Sequence, residues 1–98
     1  MRTVRLDDDT YVLTLDVELD LAEAERLSVA LRVLPARRFI VDLTKVVCLD
    51  PGGVAWLART ARESALEIVT DDPRTARIFE TVDSSLTVHP MLADALAG

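Results

Sequence analysis

The sequence has a single cysteine, few glycines, prolines and aromatic residues, and no long apolar run. Because Cys48 has no second cysteine to pair with, an internal disulfide is impossible, which is typical of a reducing compartment. No stretch approaches the ~20 consecutive apolar residues that a membrane-spanning helix needs. Residues 1–9 also lack the apolar segment of a secretory signal. We therefore expect a cytoplasmic protein.

Positive charge is also scarce. The chain has 11 Lys and Arg residues against 17 Asp and Glu residues, giving a formal net charge of −6. Since no segment is rich in Lys or Arg, binding to nucleic acid is not expected. Half of the 98 residues are hydrophobic, so the chain can bury a core rather than remain disordered. This length suits one domain over residues 1–98.

The residue types that carry catalysis are sparse. His89 is the only histidine, and no nucleophile or orienting acid can be identified for it, so a helix start before Pro90 is the better interpretation. Cys48 lies within the apolar run 46–49, which predicts a buried, unreactive thiol. Gly52-Gly53 lacks the spacing and the lysine of a phosphate-binding loop. We expect a protein that is not an enzyme and uses no cofactor.

Three adjacent carboxylates, Asp7, Asp8 and Asp9, are the most concentrated acidic run. Hard cations prefer oxygen ligands from spaced positions, whereas adjacent side chains diverge. The run therefore predicts a solvated turn between two strands, and no metal site is expected.

Hydrophobic periodicity predicts a single α/β domain with the element order ββαβαβαβα. Strands alternating with helices imply right-handed crossovers and a mostly parallel sheet, here of about five strands with about four helices. The opening hairpin adds an antiparallel edge. Strands are predicted at residues 3–6, 11–16, 39–43, 66–70 and 86–88, and helices at 20–34, 51–64, 73–82 and from 89 onward.

Helix starts are marked by aspartates. Asp20 suits an N-cap, and Glu23 three residues later completes a pattern like the capping box. Asp50 suits an N-cap with Pro51 at the first helical position, and Asp72 repeats this arrangement.

The segment 41–57, which reads VDLTKVVCLDPGGVAWL, resembles the STAS family of anti-sigma factor antagonists. In that family a strand ending in Asp-Leu is followed by an apolar run and a turn like Asp-Ser-Ser-Gly that opens a helix. Val17-Glu18-Leu19-Asp20 is similar to the family's Gly-Glu-Leu-Asp, and Val88-His89-Pro90 to its usual ending. The similarity covers about residues 10–97. It implies a STAS-like fold and a partner that is an anti-sigma factor of the ATPase or kinase type. Binding of this chain to that partner would release a sigma factor.

The turn departs from the family pattern. The position of the family's phosphorylated serine is Gly52 here, and Pro51 stands where Ser or Thr is usual. Neither residue has a hydroxyl, so the resemblance implies a member without the usual phosphorylation switch. The alternative is that the glycines only permit a tight turn.

The helix from Gly52 predicts a recognition face. At about 100° per residue, Val54, Leu57, Ala58 and Ala61 share the side that covers the sheet. Trp56 and Arg59, residue types that often anchor interfaces, point the other way with Gly52. Alternatively, Trp56 packs against a neighbouring loop or the first helix. The predicted partner-binding residues are Asp20, Asp50, Pro51, Gly52, Gly53, Trp56 and Arg59.

Two other functions remain open at this point. Some STAS-like proteins are small subunits of lipid-transporting ABC complexes, in which the same helix face docks on the ATPase. A third possibility is a scaffolding STAS domain that forms a homodimer or assembles with other STAS proteins. None of the three involves nucleic acid or insertion into a membrane.

Overall fold

A computed structural model describes residues 1–16, 18–64 and 66–97 of the chain. Val17, the first residue of the motif at 17–20, lies outside the described residues. The strands are β1 (Arg2–Arg5), β2 (Thr10–Thr14), β3 (Glu18–Leu19), β4 (Arg38–Asp42), β5 (Cys48–Leu49), β6 (Leu66–Val69) and β7 (Val88–His89). The helices are α1 (Leu21–Val33), α2 (Pro51–Glu63), α3 (Pro73–Val82) and α4 (Leu92–Ala97).

The main sheet has five strands in the order β1-β2-β4-β6-β7. β1 is antiparallel to β2, and every other neighbouring pair in this sheet is parallel. The predicted α/β fold, with a mostly parallel sheet and an antiparallel edge, is confirmed.

The acidic run Asp7-Asp8-Asp9 forms the turn between β1 and β2. The Leu6 amide donates to the Thr10 carbonyl at 2.9 Å, which closes the hairpin. The Asp9 amide donates to Asp7 Oδ1 at 2.8 Å, and all three aspartates are exposed. The expected solvated turn is confirmed.

The core has one layer of helices on each face of the sheet. On one face, side chains of α1, α2 and α3 pack with alternate strand residues such as Leu13, Val41 and Ile68. On the other face, Ala95 of α4 packs against Val12, Ile40 and Val69, which are the strand residues whose side chains point to that face. β4 contributes to both clusters, and each of its residues after Arg38 is buried, as the predicted strand with two covered faces requires.

The carboxyl end of the chain differs from the sequence prediction. We expected His89-Pro90 to begin the last helix, but His89 is the second residue of β7 and α4 begins at Leu92. The Thr70 amide donates to the His89 carbonyl at 3.0 Å, so the backbone of His89 belongs to the parallel ladder with β6. The cap-like residue before Pro90 is therefore a strand residue, and the prediction was wrong.

Among the described residues, no helix is both long enough and apolar enough to span a bilayer.

Candidate functional site

The start of α2 is an exposed turn fixed by the aspartate that precedes it. Asp50 Oδ1 accepts a hydrogen bond from the Gly52 amide at 2.8 Å, and Pro51 occupies the first turn of the helix. The Asp50 amide donates to the Leu19 carbonyl at 2.9 Å. The predicted N-cap at Asp50 is confirmed. Both the side chain and the backbone amide of Asp50 are hydrogen-bonded, which fixes the turn in place.

A second, two-stranded sheet carries this turn. β3 and β5 pair in parallel, with Glu18 opposite Cys48 and Leu19 opposite Leu49. The sequence did not predict this pairing, because two residues per strand give no periodicity to read. The pairing brings the acidic segment before α1 next to the start of α2.

Asp20 has the capping role that the sequence predicts. Its Oδ1 accepts from the Glu23 amide at 2.8 Å, and α1 begins at the next residue. The side chain is half-buried. Asp20 therefore stabilises α1, and part of its side chain remains exposed to solvent.

Gly53 is buried, in contrast to the two residues before it. A Cβ atom built on Gly53 would lie 2.6 Å from the Leu19 carbonyl oxygen and 2.9 Å from the Leu19 carbonyl carbon. These are backbone atoms that cannot move aside cheaply. Gly53 therefore belongs to the packing of α2 against β3, not to an exposed recognition surface, which corrects the prediction for this residue.

Gly52 lies on the surface of the turn. A Cβ atom there would lie 3.0 Å from Asp50 Oδ1, which is the end of a flexible side chain. A side chain at this position therefore fits after a small adjustment of the cap. Gly52, Pro51 and Asp50 together present an exposed surface.

The two predicted anchors on α2 differ in exposure. Arg59 is exposed, as the helical wheel predicts, whereas Trp56 is half-buried and packs against the main core. The apolar side of α2 is also as predicted, with Val54, Leu57 and Ala58 buried. Trp56 therefore stabilises the domain with part of its surface, and only the rest of the indole is available to a partner.

Acidic side chains surround the turn on the side of β3 and β5. A groove, here called the acidic groove, has carboxylates on the β3 side and on the β5 side. Its described lining residues include no basic side chain. It is lined by Glu18, Leu19, Asp20, Cys48, Leu49, Asp50 and Pro51. Such a groove favours a partner surface with positive charge.

The opposite side of the turn is apolar. A second groove, here called the apolar groove, lies between α2 and α3 and is lined by Leu49, Pro51, Val54, Ala55, Ile78 and Val82. Ile78 is 44% exposed and Val82 is 50% exposed. Their spacing of four residues on α3 was the available sequence signal, and it was missed because only α2 was considered as a recognition helix.

Cys48 is exposed, which contradicts the predicted buried thiol. Val47 and Cys48 are both exposed, and β5 contains only Cys48 and Leu49 of the run 46–49, so the strand is too short to be covered on both faces. A continuous apolar run predicts burial only when both faces of the strand are covered.

His89 belongs to a polar network that the sequence did not reveal. Its Nε2 atom lies 2.8 Å from Glu67 Oε1. Arg38 donates from Nη2 to Glu67 Oε1 at 2.9 Å and from Nε to the other oxygen of that carboxylate. The hydrogen bond from Arg38, with a smaller contribution from His89, holds the pKa of Glu67 below its usual range.

This network anchors the last helix. Arg38 Nη2 also donates to the Ala95 carbonyl at 2.5 Å, which links β4 to α4.

Within the described residues, no cluster of three or more side chains is suited to hold a metal ion.

The order of the main sheet and the capped turn between β5 and α2 define a domain of the STAS type. The chain belongs to this family: the family model described as "Mlab, STAS domain" matches residues 2–85. This finding confirms the resemblance that the turn sequence indicated. No match was found among curated protein sequences.

Solved structures support the same fold. An anti-sigma factor antagonist from Mycobacterium paratuberculosis is 25% identical, with 98% of this chain and 91% of that chain covered and a TM-score of 0.77. The unphosphorylated form of the anti-sigma factor antagonist SpoIIAA is 16% identical, with 98% and 93% covered and a TM-score of 0.74. A sulfate transporter family protein from Wolinella succinogenes is 17% identical, with 90% and 82% covered and a TM-score of 0.67.

Proposed function

We propose that this chain is a protein-binding regulatory module of the anti-sigma factor antagonist kind. It binds an ATPase-type, kinase-type anti-sigma factor through the turn at the start of α2 and thereby releases a sigma factor. The observation that carries the proposal is the exposed surface of Asp50, Pro51 and Gly52, held rigid by the Asp50 cap. The similarity to the antagonist from Mycobacterium paratuberculosis supports it.

The proposal includes a turn that a kinase does not modify. Gly52 stands at the position that the resemblance assigns to the phosphorylated serine, and it has no hydroxyl. A phosphate would add a charge of about −2 at pH 7. Because Gly52 cannot receive one, we propose that the module stays competent to bind while its partner hydrolyses or binds ATP.

The chemistry of the partner surface follows from the two grooves beside the turn. The acidic groove favours basic side chains, and the apolar groove favours aliphatic ones. Arg59 is exposed farther along α2 and offers a contact to a carboxylate. We therefore propose a partner surface that is basic and aliphatic opposite the turn.

The test is binding to purified ATPase-type anti-sigma factors from the same organism, measured by calorimetry, with a charge added to the turn. Gly52→Arg places bulk and positive charge on the proposed contact and is expected to weaken binding at least about tenfold. Ala93→Arg is the matched control, because Ala93 is also exposed in the first turn of a helix but lies on α4, across the sheet. Equal affinities of the wild type and both variants would contradict the proposed site.

The absence of a switch is tested separately by incubation with the same anti-sigma factors and ATP. The wild type is expected to gain no phosphate at the turn, whereas Gly52→Ser restores the hydroxyl and is expected to be phosphorylated by a cognate kinase. Mass spectrometry of the peptide that contains the turn measures both. A set of anti-sigma factors that neither binds nor phosphorylates any of these proteins would count against the regulatory proposal as a whole.

A second candidate is a small STAS subunit of a lipid-transporting ABC complex. Two findings favour keeping it: the family description includes Mlab, and the same fold occurs in a sulfate transporter family protein. In this case the turn and the apolar groove contact the ABC ATPase. Copurification with an ABC ATPase and its permease, in place of an anti-sigma factor, would support this candidate over the first.

Neither candidate requires catalysis, and we propose that the chain is not an enzyme. Its single histidine is engaged with Glu67, and no hydroxyl or thiol side chain among the described residues hydrogen-bonds to either member of that pair. A scaffolding role, in which the chain dimerises or assembles with other STAS proteins, is the third candidate.

A further inference from the structure

β1 is an edge strand whose outer side is unpaired among the described residues. It is the first strand in the sheet order, it pairs with β2 alone, and all four of its residues are exposed. Edge strands present free backbone donors and acceptors to a further strand. The other edge of the sheet is β7, which has only two residues.

The hairpin fixes which backbone groups point outward. The Leu6 amide donates to the Thr10 carbonyl, so these two residues form a hydrogen-bonded pair of the antiparallel ladder. Such pairs alternate along the strands. Val4 opposite Val12 and Arg2 opposite Thr14 are therefore also hydrogen-bonded pairs, and the amides and carbonyls of Thr3 and Arg5 point to the free edge.

We propose that this edge pairs with β1 of a second copy of the chain, in an antiparallel ladder with its two-fold axis at Val4. In this register Thr3 of each copy lies opposite Arg5 of the other, and the two residues exchange both backbone hydrogen bonds. Four hydrogen bonds join the copies. The two five-stranded sheets become one sheet of ten strands, and each copy uses the longer of the two edge strands in its main sheet.

The side chains on β1 suit this register better than its neighbours. A two-fold axis at Val4 places Arg5 opposite Thr3, whereas an axis at Arg5 would place two arginines opposite each other. It also places Arg2 opposite Leu6 of the second copy, beside the turn Asp7-Asp8-Asp9. The positive end of each strand thus meets the acidic end of the other.

Exposed apolar side chains lie at the centre of the same contact. Val4 in β1 is 43% exposed and Leu6, directly after β1, is 42% exposed. The two side chains are two positions apart and so point to the same face of the sheet. Across the two-fold axis the Val4 side chains come together, since a pair that is not hydrogen-bonded has Cα atoms about 4.5 Å apart. The contact is short, so we expect a weak dimer, with a dissociation constant of about micromolar or higher.

A cysteine placed on the axis tests the register. Val4→Cys in a Cys48→Ser background is expected to form a disulfide-linked dimer under mild oxidation, because its Cα separation suits a disulfide. Cys48 must be removed because its thiol is exposed. The matched control is Thr3→Cys in the same background, since Thr3 lies opposite Arg5 and not opposite itself. Equal rates of cross-linking for the two cysteines would overturn the proposed register.

A proline placed on the outer edge tests the hydrogen bonds. Thr3→Pro removes an outward amide without breaking a bond to β2, so the domain still folds, which circular dichroism checks. Sedimentation equilibrium is expected to show self-association weakened at least about tenfold, whereas Thr3→Ala keeps it. A wild type that stays monomeric up to about millimolar concentration, or a folded Thr3→Pro that associates as the wild type does, would overturn the proposal.

Discussion

Gly52 and Gly53 are adjacent residues with different roles at the start of α2. Gly52 is exposed, and its nearest obstacle is the flexible side chain of Asp50. Gly53 is buried, and its nearest obstacle is the backbone of Leu19. The sequence alone could not separate them, because the difference depends on the approach of β3, a strand of two residues.

The separation predicts opposite tolerances to substitution. Gly53→Ala is expected to lower the free energy of unfolding by about 1–3 kcal/mol, because the added methyl group overlaps the Leu19 carbonyl. Urea denaturation measures the change. Gly52→Ala is the matched control, since it makes the same chemical change one residue earlier, and it is expected to change stability by less than about 1 kcal/mol. Equal effects of the two substitutions would contradict the close contact at Gly53.

Trp56 illustrates the limit of a helical wheel. The wheel places it opposite the buried stripe of α2, yet part of the indole packs against the main core. A large side chain reaches past the boundary of its face, because its ring extends far from the helix axis. Arg59, whose charged group must stay in water, is on the predicted side.

At the scale of elements, the helix starts were predictable and the shortest strands were not. Asp20, Asp50 and Asp72 cap α1, α2 and α3, each accepting from an amide in the first turn. A cap is a local signal, so it can be read without knowledge of the tertiary structure. The pairing of β3 with β5 depends on residues about 30 positions apart, for which no local signal exists.

α4 is a short element that depends on an anchor from the sheet. It has six residues, too few to be stable alone, and Arg38 donates to its Ala95 carbonyl. Arg38→Lys keeps the charge but replaces the planar guanidinium with a single ammonium group. That group cannot donate to the Glu67 carboxylate and the Ala95 carbonyl with the same geometry. Amide hydrogen exchange within α4 is therefore expected to be about tenfold faster in this variant, while exchange in β4 is unchanged.

The matched control for this experiment is the neighbouring arginine. Arg37 is exposed, and its Nε atom is 4.0 Å from Asp9 Oδ1, so Arg37→Lys is expected to leave α4 unchanged. If Arg38→Lys leaves the exchange of α4 as it is in the wild type, packing of Ala95 and Leu92 is sufficient to hold the helix.

For the whole molecule, the sequence predicted the architecture but not the polar contacts that join its layers. The order of strands and helices follows from periodicity and from the rule that βαβ crossovers are right-handed. The network of Arg38, Glu67 and His89 draws one residue from each of β4, β6 and β7. No sequence spacing predicts it, because strand order must be known before these positions become neighbours.

The same network predicts how the stability of the whole domain depends on pH. The lowered pKa of Glu67 means that its ionised form is favoured in the folded state, chiefly by Arg38 and then by His89. Its contribution is therefore complete above the unfolded pKa of about 4.3 and is lost as pH falls through the lower folded value. Glu67→Gln is expected to cost about 1–3 kcal/mol near neutral pH, and this cost shrinks in acid.

Urea denaturation of wild type and Glu67→Gln at several pH values between about 3 and 7 measures this loss, since the expected change lies around the unfolded pKa of Glu. Glu25→Gln is the control, because Glu25 is exposed on α1 and no ion pair involves it among the described residues. Repeating the pair of measurements with His89→Asn removes the imidazole that contacts Glu67, so that the pair then reports on Glu67 with Arg38 alone. A difference between wild type and Glu67→Gln that stays constant from neutral pH into acid would contradict the coupling, because the carboxylate would then stabilise the fold independently of its charge.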